Sequence, residues 1–269
     1  MSVGLSLHGR RVLLTGASGG IGEALAHALY ARGATVLASA RREDVLARLC
    51  EQLGDRAHVL VADLGEPREV DRLIRSVGDV DVLVANAALP ASGPLLDYEA
   101  SAIDRALGVN LRAPIQLARA LAPAMVGRGE GSLVFMSSLS GKVASPGSSL
   151  YSATKFGLRG FALGLREDLF GTGVGVTTVF PGFIRDAGMF HDSGTMLPRF
   201  VGTRTTEQVA EATLHGIEQG RLEVDVAPLA LRLGAKLGGL APALLGDAQR
   251  RLGSRDVAGQ MARGQRHKR

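Results

Sequence analysis

The chain has 269 residues, 46% hydrophobic and 21% charged, with 36 glycines and a single cysteine. That apolar share excludes a disordered chain, the lone Cys50 excludes a disulfide scaffold, and no uncharged apolar run of about 18 residues offers a transmembrane helix. The formal net charge of +5 is unevenly placed, because residues 227–269 hold nine Lys and Arg against two Asp and Glu. Residues 1–10 are too short for a secretory signal and a lone thiol suits a reducing compartment, so a cytoplasmic location is expected. With 4% aromatic residues and no nucleic-acid motif, no nucleic-acid partner is expected, and no metal site is singled out.

Short runs rich in Val and Leu at 11–15, 35–39, 58–62, 80–85, 132–136, 174–180 and 222–226 read as strands. They show little alternation, as expected where a strand is covered on both faces. Between them, 20–32, 43–53, 67–77, 102–125, 151–170 and 206–219 read as helices, with Pro67 suited to a first turn. Repeated strand–helix–strand units predict one α/β domain, doubly wound around a mostly parallel seven-stranded sheet, over residues 1–226. Residues 227–269 change character and form a basic, Leu-striped extension.

The run Thr15-Gly16-Ala17-Ser18-Gly19-Gly20-Ile21-Gly22 follows the first strand and opens the first helix. Glycines there let backbone N–H groups approach a phosphate, and the helix N-terminus favours negative charge. Taken alone, the turn also suits tight strand–helix packing. The second strand ends at Ala40, which has no acceptor for a ribose hydroxyl; Arg41 instead can fork onto a 2′-phosphate. That favours NADP over NAD, although Glu43 or Asp44 beside a solvated Arg41 is the plainer reading.

Tyr151 and Lys155 are four apart, on one face of a helix. A free Tyr has a pKa of about 10, and a nearby ammonium lowers it, so the pair can move a proton at a substrate oxygen. Alone, the pair is better explained as a surface contact. Ser138 follows a strand, where its hydroxyl can hold a carbonyl oxygen. Asn110 sits inside the 102–125 helix, where it can bend the helix, hold a water or simply be tolerated.

Together these residues are specific. Thr15-Gly16-x-x-x-Gly20-Ile21-Gly22, Asp63-Leu64, Asn86-Ala87, Asn110, Ser138, Tyr151-x-x-x-Lys155 and Pro181-Gly182 occur in one order along residues 7–226. In them the chain resembles the short-chain dehydrogenase/reductases, which implies a Rossmann-type NAD(P)-binding fold. The resemblance implies Tyr151 as general acid in reduction and base in oxidation. Lys155 would lower the Tyr151 pKa and bind the nicotinamide ribose, and Ser138 would orient the carbonyl. Asn110 would hold a relay water to Lys155. Gly16, Ser18, Gly20, Ile21 and Gly22 would line the pyrophosphate turn; Asp63 and Leu64 would contact adenine, and Asn86 the adenine ribose. Arg41 would take the 2′-phosphate, and Pro181, Gly182 and the Ile184 backbone would flank the nicotinamide. A homodimer or homotetramer is implied as well.

Some positions depart from the family. Ala88 replaces a usual glycine, and Gly19 stands where many NADP-preferring members carry a basic residue. Asp186 stands where a Thr usually helps fix the carboxamide, and its charge would need a partner such as Arg185. Met189, Phe190, Met196, Leu197 and Phe200 would form an apolar wall and favour a hydrophobic carbonyl or alcohol substrate; ordinary packing explains the same residues equally well. His191 reads as a surface residue.

Leu229, Leu233, Leu237, Leu240 and Leu244 form one stripe if the tail is helical, with Arg232 and Lys236 off it. Docking of that stripe on its own domain or a second subunit is one reading; an amphipathic helix in peripheral contact with a membrane surface is the sharper one. For the whole chain, the expected activity is an NADP(H)-dependent carbonyl/alcohol oxidoreductase. The alternatives are a non-catalytic NADP-binding regulator and a membrane-associated scaffold.

Overall fold

Strand β1 (Arg11–Thr15) is covered on both faces: Val12 and Leu14 enter one helical layer and Leu13 the other. All three are fully buried, each contributing roughly 1.5–3 kcal/mol of apolar burial. The computed structural model describes residues 4–195, 197, 201–240, 242 and 254–265. The other strands are β2 (Thr35–Ala40), β3 (Ala57–Val61), β4 (Val82–Ala85), β5 (Gly131–Met136), β6 (Val174–Pro181) and β7 (Glu223–Val226). Each expected strand is present within two residues. They form one parallel sheet in the order β3-β2-β1-β4-β5-β6-β7. The chain winds outward both ways from β1 and β4, so a crevice opens beyond Thr15 and Ala85, where such folds bind ligands.

Helices α1 (Gly20–Ala31), α2 (Glu43–Leu53) and α7 (Thr206–Glu218) cover one face through Leu25, Leu46 and Val209. Helices α3 (Pro67–Val77), α5 (Ala113–Arg128) and α6 (Ser149–Asp168) cover the other through Leu73, Leu117 and Leu158. One expected helix is divided. In place of a continuous 102–125 segment, α4 (Ala100–Leu107) runs into a π turn at Gly108–Arg112 and then into α5. The wider turn shifts the face on which Asn110 projects, a common use of π turns near functional sites.

The tail adds α8 (Leu229–Leu240) and α9 (Ser254–Gln265). Its packing against the body is inverted relative to the docked-stripe expectation. Ala235 is buried, while Leu229, Leu233 and Leu237 are 65%, 51% and 64% exposed. The Leu240 side chain, Leu244, Met196, Phe200, Arg250, Arg251 and residues 266–269 lie outside the description. Helix α9 rests on the segment after β6: Gln265 Nε2 donates to Met189 O at 3.0 Å. Gly264 lies so near the chain there that a Cβ would strike Ser193 O.

Candidate active site

The turn between β1 and α1 has no room for a side chain at Gly16, Gly20 or Gly22. Gly16 has φ +68°, and a Cβ on it would lie 2.7 Å from Ala87 Cα. A Cβ on Gly22 would strike Gly16 O. No side chain caps α1, so its first N–H groups point into the crevice without a capping acceptor. Asn86 locks this turn to the end of β4: its Nδ2 donates to Thr15 O at 3.1 Å and to Gly16 O at 3.3 Å. Thr15 Oγ1 in turn accepts from the N–H groups of Asn86 and Ala87, both at 3.1 Å. Arg42 Nη2 donates to Ser18 O at 2.6 Å, tying β2 to the same turn.

Arg41 is exposed at the mouth beyond β2 and, among the described residues, makes no ion pair. Asp44 pairs instead with Arg48 at 3.0 Å. The Asp63 carboxylate is committed within the protein: Oδ1 accepts from Gly65 N at 2.8 Å and Oδ2 from Arg105 Nη2 at 2.7 Å. Burial pushes its pKa up, but Arg105 and the Gly65 N–H outweigh it and hold the group below its usual range. Leu64 is buried beside it.

Helix α6 places Tyr151 and Lys155 on one face, under the turn that carries Ser138. Lys155 is not a surface residue: it is 2% exposed and donates from Nζ to Met136 O at 2.8 Å. Its ammonium lies 5.6 Å from the Tyr151 ring centroid. Ser137 Oγ donates to Lys155 O at 3.1 Å, fixing the helix to the end of β5. Ser138 Oγ accepts from Ser140 N at 3.1 Å, which orients the hydroxyl.

The electrostatics differ from the expectation that Lys155 lowers the Tyr151 pKa. Burial pushes the Tyr151 phenol up to about 12, and the neighbouring Ser138 side chain is what opposes it. Burial also pushes the Lys155 ammonium down to about 8. Both groups are dominated by desolvation, which favours the neutral form of each.

Two further polar side chains find partners within the protein. Asn110 does not present a free amide: Oδ1 accepts from Leu89 N at 2.7 Å and Nδ2 donates to Leu89 O at 3.0 Å. Asp186 is occupied as a cap, accepting from Thr206 N at 3.2 Å and from Thr206 Oγ1 at 3.3 Å. Its charge is matched by the N-terminus of α7 rather than by Arg185. Pro181 ends β6, and Gly182 N donates to Val226 O at 3.0 Å. A parallel bridge joins Ile184 to Arg204 through Phe183 O and Arg185 N, which leaves the Ile184 N–H and C=O outside the pairing. His191 is exposed and lies 3.3 Å from Asp192.

One cavity of about 1030 Å³ gathers these groups. Gly16, Ser18, Gly20, Ile21 and Gly22 line one end with Arg41, Asp63, Leu64 and Asn86. Ser138, Tyr151 and Lys155 line the other with Pro181, Gly182 and Ile184. Asn110 stands behind the wall, gripping Leu89, which does line it. Met189, Phe190 and Leu197 supply an apolar side, and the Phe190 ring lies 5.0 Å from that of Phe183, tilted by 57°.

Sequence reasoning missed two contributors. Val257, Ala258, Met261 and Gln265 of α9 also line the cavity; their spacing puts them on one helical face, which is the signal that marks them. Lys142, 6% exposed, bridges Asp225 at 2.6 Å and Glu223 at 2.8 Å, tying the turn after Ser138 to β7. Nothing local distinguishes it from a surface lysine.

Comparison with known proteins agrees with this geometry. The family model described as short chain dehydrogenase matches residues 10–197. Ketoacyl reductase HetN of Nostoc sp. is 35% identical over 228 residues, covering 82% of this chain and 79% of the relative. A short-chain dehydrogenase from Sphingobium yanoikuyae, solved in complex with NADPH, is 30% identical at a TM-score of 0.76, covering 88% of this chain and 96% of that one. One from Burkholderia phymatum, solved with NAD, shares the fold at 23% identity and a TM-score of 0.77, covering 89% and 96%. The chain belongs to the short-chain dehydrogenase/reductase family of NAD(P)-dependent oxidoreductases.

Proposed function

We propose that the chain is an NADP(H)-dependent oxidoreductase that interconverts a carbonyl and an alcohol on an apolar substrate, with Tyr151 as general acid and base. The observation that carries this reading is the grouping of Ser138, Tyr151 and Lys155 in one cavity with a glycine turn that admits no side chain at Gly16, Gly20 or Gly22. The residues fit a dinucleotide. The Gly16–Gly22 cradle would take the pyrophosphate, the unpaired Arg41 a 2′-phosphate, and the Ile184 N–H and C=O the carboxamide. When bound, the nicotinamide supplies or accepts the hydride.

The chain's own residues do the rest. Ser138 donates to the substrate oxygen and holds the carbonyl in place as negative charge develops. The Tyr151 O–H gives that oxygen its proton in reduction, and the phenolate takes it back in oxidation. Lys155, its ammonium held by Met136 O at the cavity wall, would bind the nicotinamide ribose. Asn110 acts through the backbone: by holding Leu89 it fixes the wall opposite the reacting oxygen. Met189, Phe190, Val257 and Met261 exclude water and favour an apolar substrate. The NADPH bound in the structure of the Sphingobium relative supports the cofactor choice. The ketoacyl reductase name of the Nostoc relative supports a carbonyl as the group reduced.

The test is NADPH and NADH oxidation with a panel of apolar ketones and aldehydes, beside Tyr151→Phe. Turnover with NADPH that disappears in the variant is expected. Equal turnover in the variant would remove Tyr151 from the reaction, and a preference for NADH would remove Arg41 from cofactor selection.

A further inference from the structure

Helix α8 has two dissimilar faces. Its inner face sets Ala230, Leu231, Gly234 and Ala235 against the cavity, three of them small. Its outer face sets Leu229, Leu233 and Leu237 one turn apart, each more than half exposed. A helix on a protein surface normally turns its leucines inward. Here the cavity takes Leu231 with its small neighbours, and Leu229, Leu233 and Leu237 are left facing outward. Arg232 and Lys236 flank them, both exposed, and Leu229–Leu240 contains no acidic residue.

We propose that the outer face of α8 docks on an anionic lipid bilayer. The combination of an apolar row with flanking cations is what an interfacial helix needs: leucines for the acyl boundary, cations for the headgroup phosphates. At 12 residues α8 is about 18 Å long, and among the described residues no helix is long and apolar enough to cross a membrane, so it lies along the surface. A second copy of the chain fits the face less well. Two-fold pairing through the leucines would bring Arg232 and Lys236 against their own equivalents, with no carboxylate on the helix to offset them. Docking depends on the outer face alone, so its failure leaves the oxidoreductase reading intact.

Flotation of the full chain with phosphatidylcholine vesicles, with and without phosphatidylglycerol, tests it. The chain is expected to float with the anionic vesicles, and to partition onto them roughly tenfold or more over the neutral ones. Leu229→Gln/Leu233→Gln/Leu237→Gln is expected to remain at the bottom while keeping its thermal midpoint and its NADPH binding. Arg232→Glu/Lys236→Glu is expected to lose the preference for anionic vesicles. Three results would overturn the proposal: a wild-type chain that stays down with both vesicles, a triple variant that floats like the wild type, or a soluble wild-type dimer that the triple variant splits.

Discussion

Lys155 Nζ lies one helical turn from Tyr151, 5.6 Å from its ring centroid, yet its hydrogen bond goes to the Met136 carbonyl at 2.8 Å. The two side chains therefore share one face of α6, Lys155 buried and Tyr151 partly so, without a direct bond. Each is driven toward its neutral form, and the proton chemistry of the site starts from a phenol and a weakly held ammonium.

Tyr151→Phe is expected to lower carbonyl reduction by about 10²–10⁴ while leaving NADPH affinity within a few fold, because it removes the proton donor and little contact area. Ser138→Ala is expected to cost about 10²–10³ in kcat through the lost donor to the substrate oxygen. Single-turnover kinetics with fluorescence titration of NADPH separates the two effects.

The pH dependence follows from the same pair. With the phenol at about 12, Tyr151 stays protonated across neutrality, so its ionisation does not limit reduction between pH 6 and 8. Oxidation needs the phenolate and is expected to rise with pH through the accessible range. A flat oxidation profile would show that the phenolate is not the base.

Stability carries a separate signature. Lys155 sits near 8, below its ordinary 10.5, so between those values the unfolded chain binds more protons and stability rises with pH. Below about 8 the cost of burying the ammonium is fully present. Tyr151 runs the other way: raised from 10.0 to about 12, it stabilises the fold below 10, and that stability is lost as pH rises to 12. Lys155→Met is expected to remove the rise between 8 and 10.5, which is of order 3 kcal/mol. Denaturant midpoints measured across that window check it.

Arg41→Ala is expected to raise the KM for NADPH by about 10- to 100-fold, the range of a charge-assisted hydrogen bond, and to leave that for NADH nearly unchanged. Equal changes with both cofactors would place Arg41 away from the 2′-phosphate.

Asn110→Leu strands the Leu89 N–H and C=O that the amide now satisfies, and Asn110 is 1% exposed. A loss of roughly 2–5 kcal/mol in unfolding free energy is expected. Asn110→Asp keeps the acceptor for Leu89 N and is expected to lose less. If Asn110 serves only as a relay, both variants would lose activity with unchanged midpoints. For contrast, Asp186→Ala should cost about 1 kcal/mol as a lost cap on α7 and leave the KM for either cofactor unaltered.

Much of this was legible in the chain itself. The apolar runs specify seven strands, and the five inner ones are buried at consecutive positions because both their faces are covered, while the edge strands β3 and β7 are only partly buried. The Gly16–Gly22 turn and the i, i+4 spacing of Tyr151 and Lys155 identify the two ends of the cavity, since backbone approach and a shared helical face are local properties. What only the tertiary structure decided are relations between distant residues. Periodicity groups Leu229, Leu233 and Leu237 on one face of α8, but which face meets the body depends on the cavity behind it. Asn110 and Asp186 are polar groups whose partners, Leu89 and Thr206, lie about 20 residues away, so no local rule assigns them. The direction of the Tyr151 and Lys155 shifts was hidden for the same reason: desolvation is set by what packs around a side chain, and that is settled only when the sheet and its helices come together.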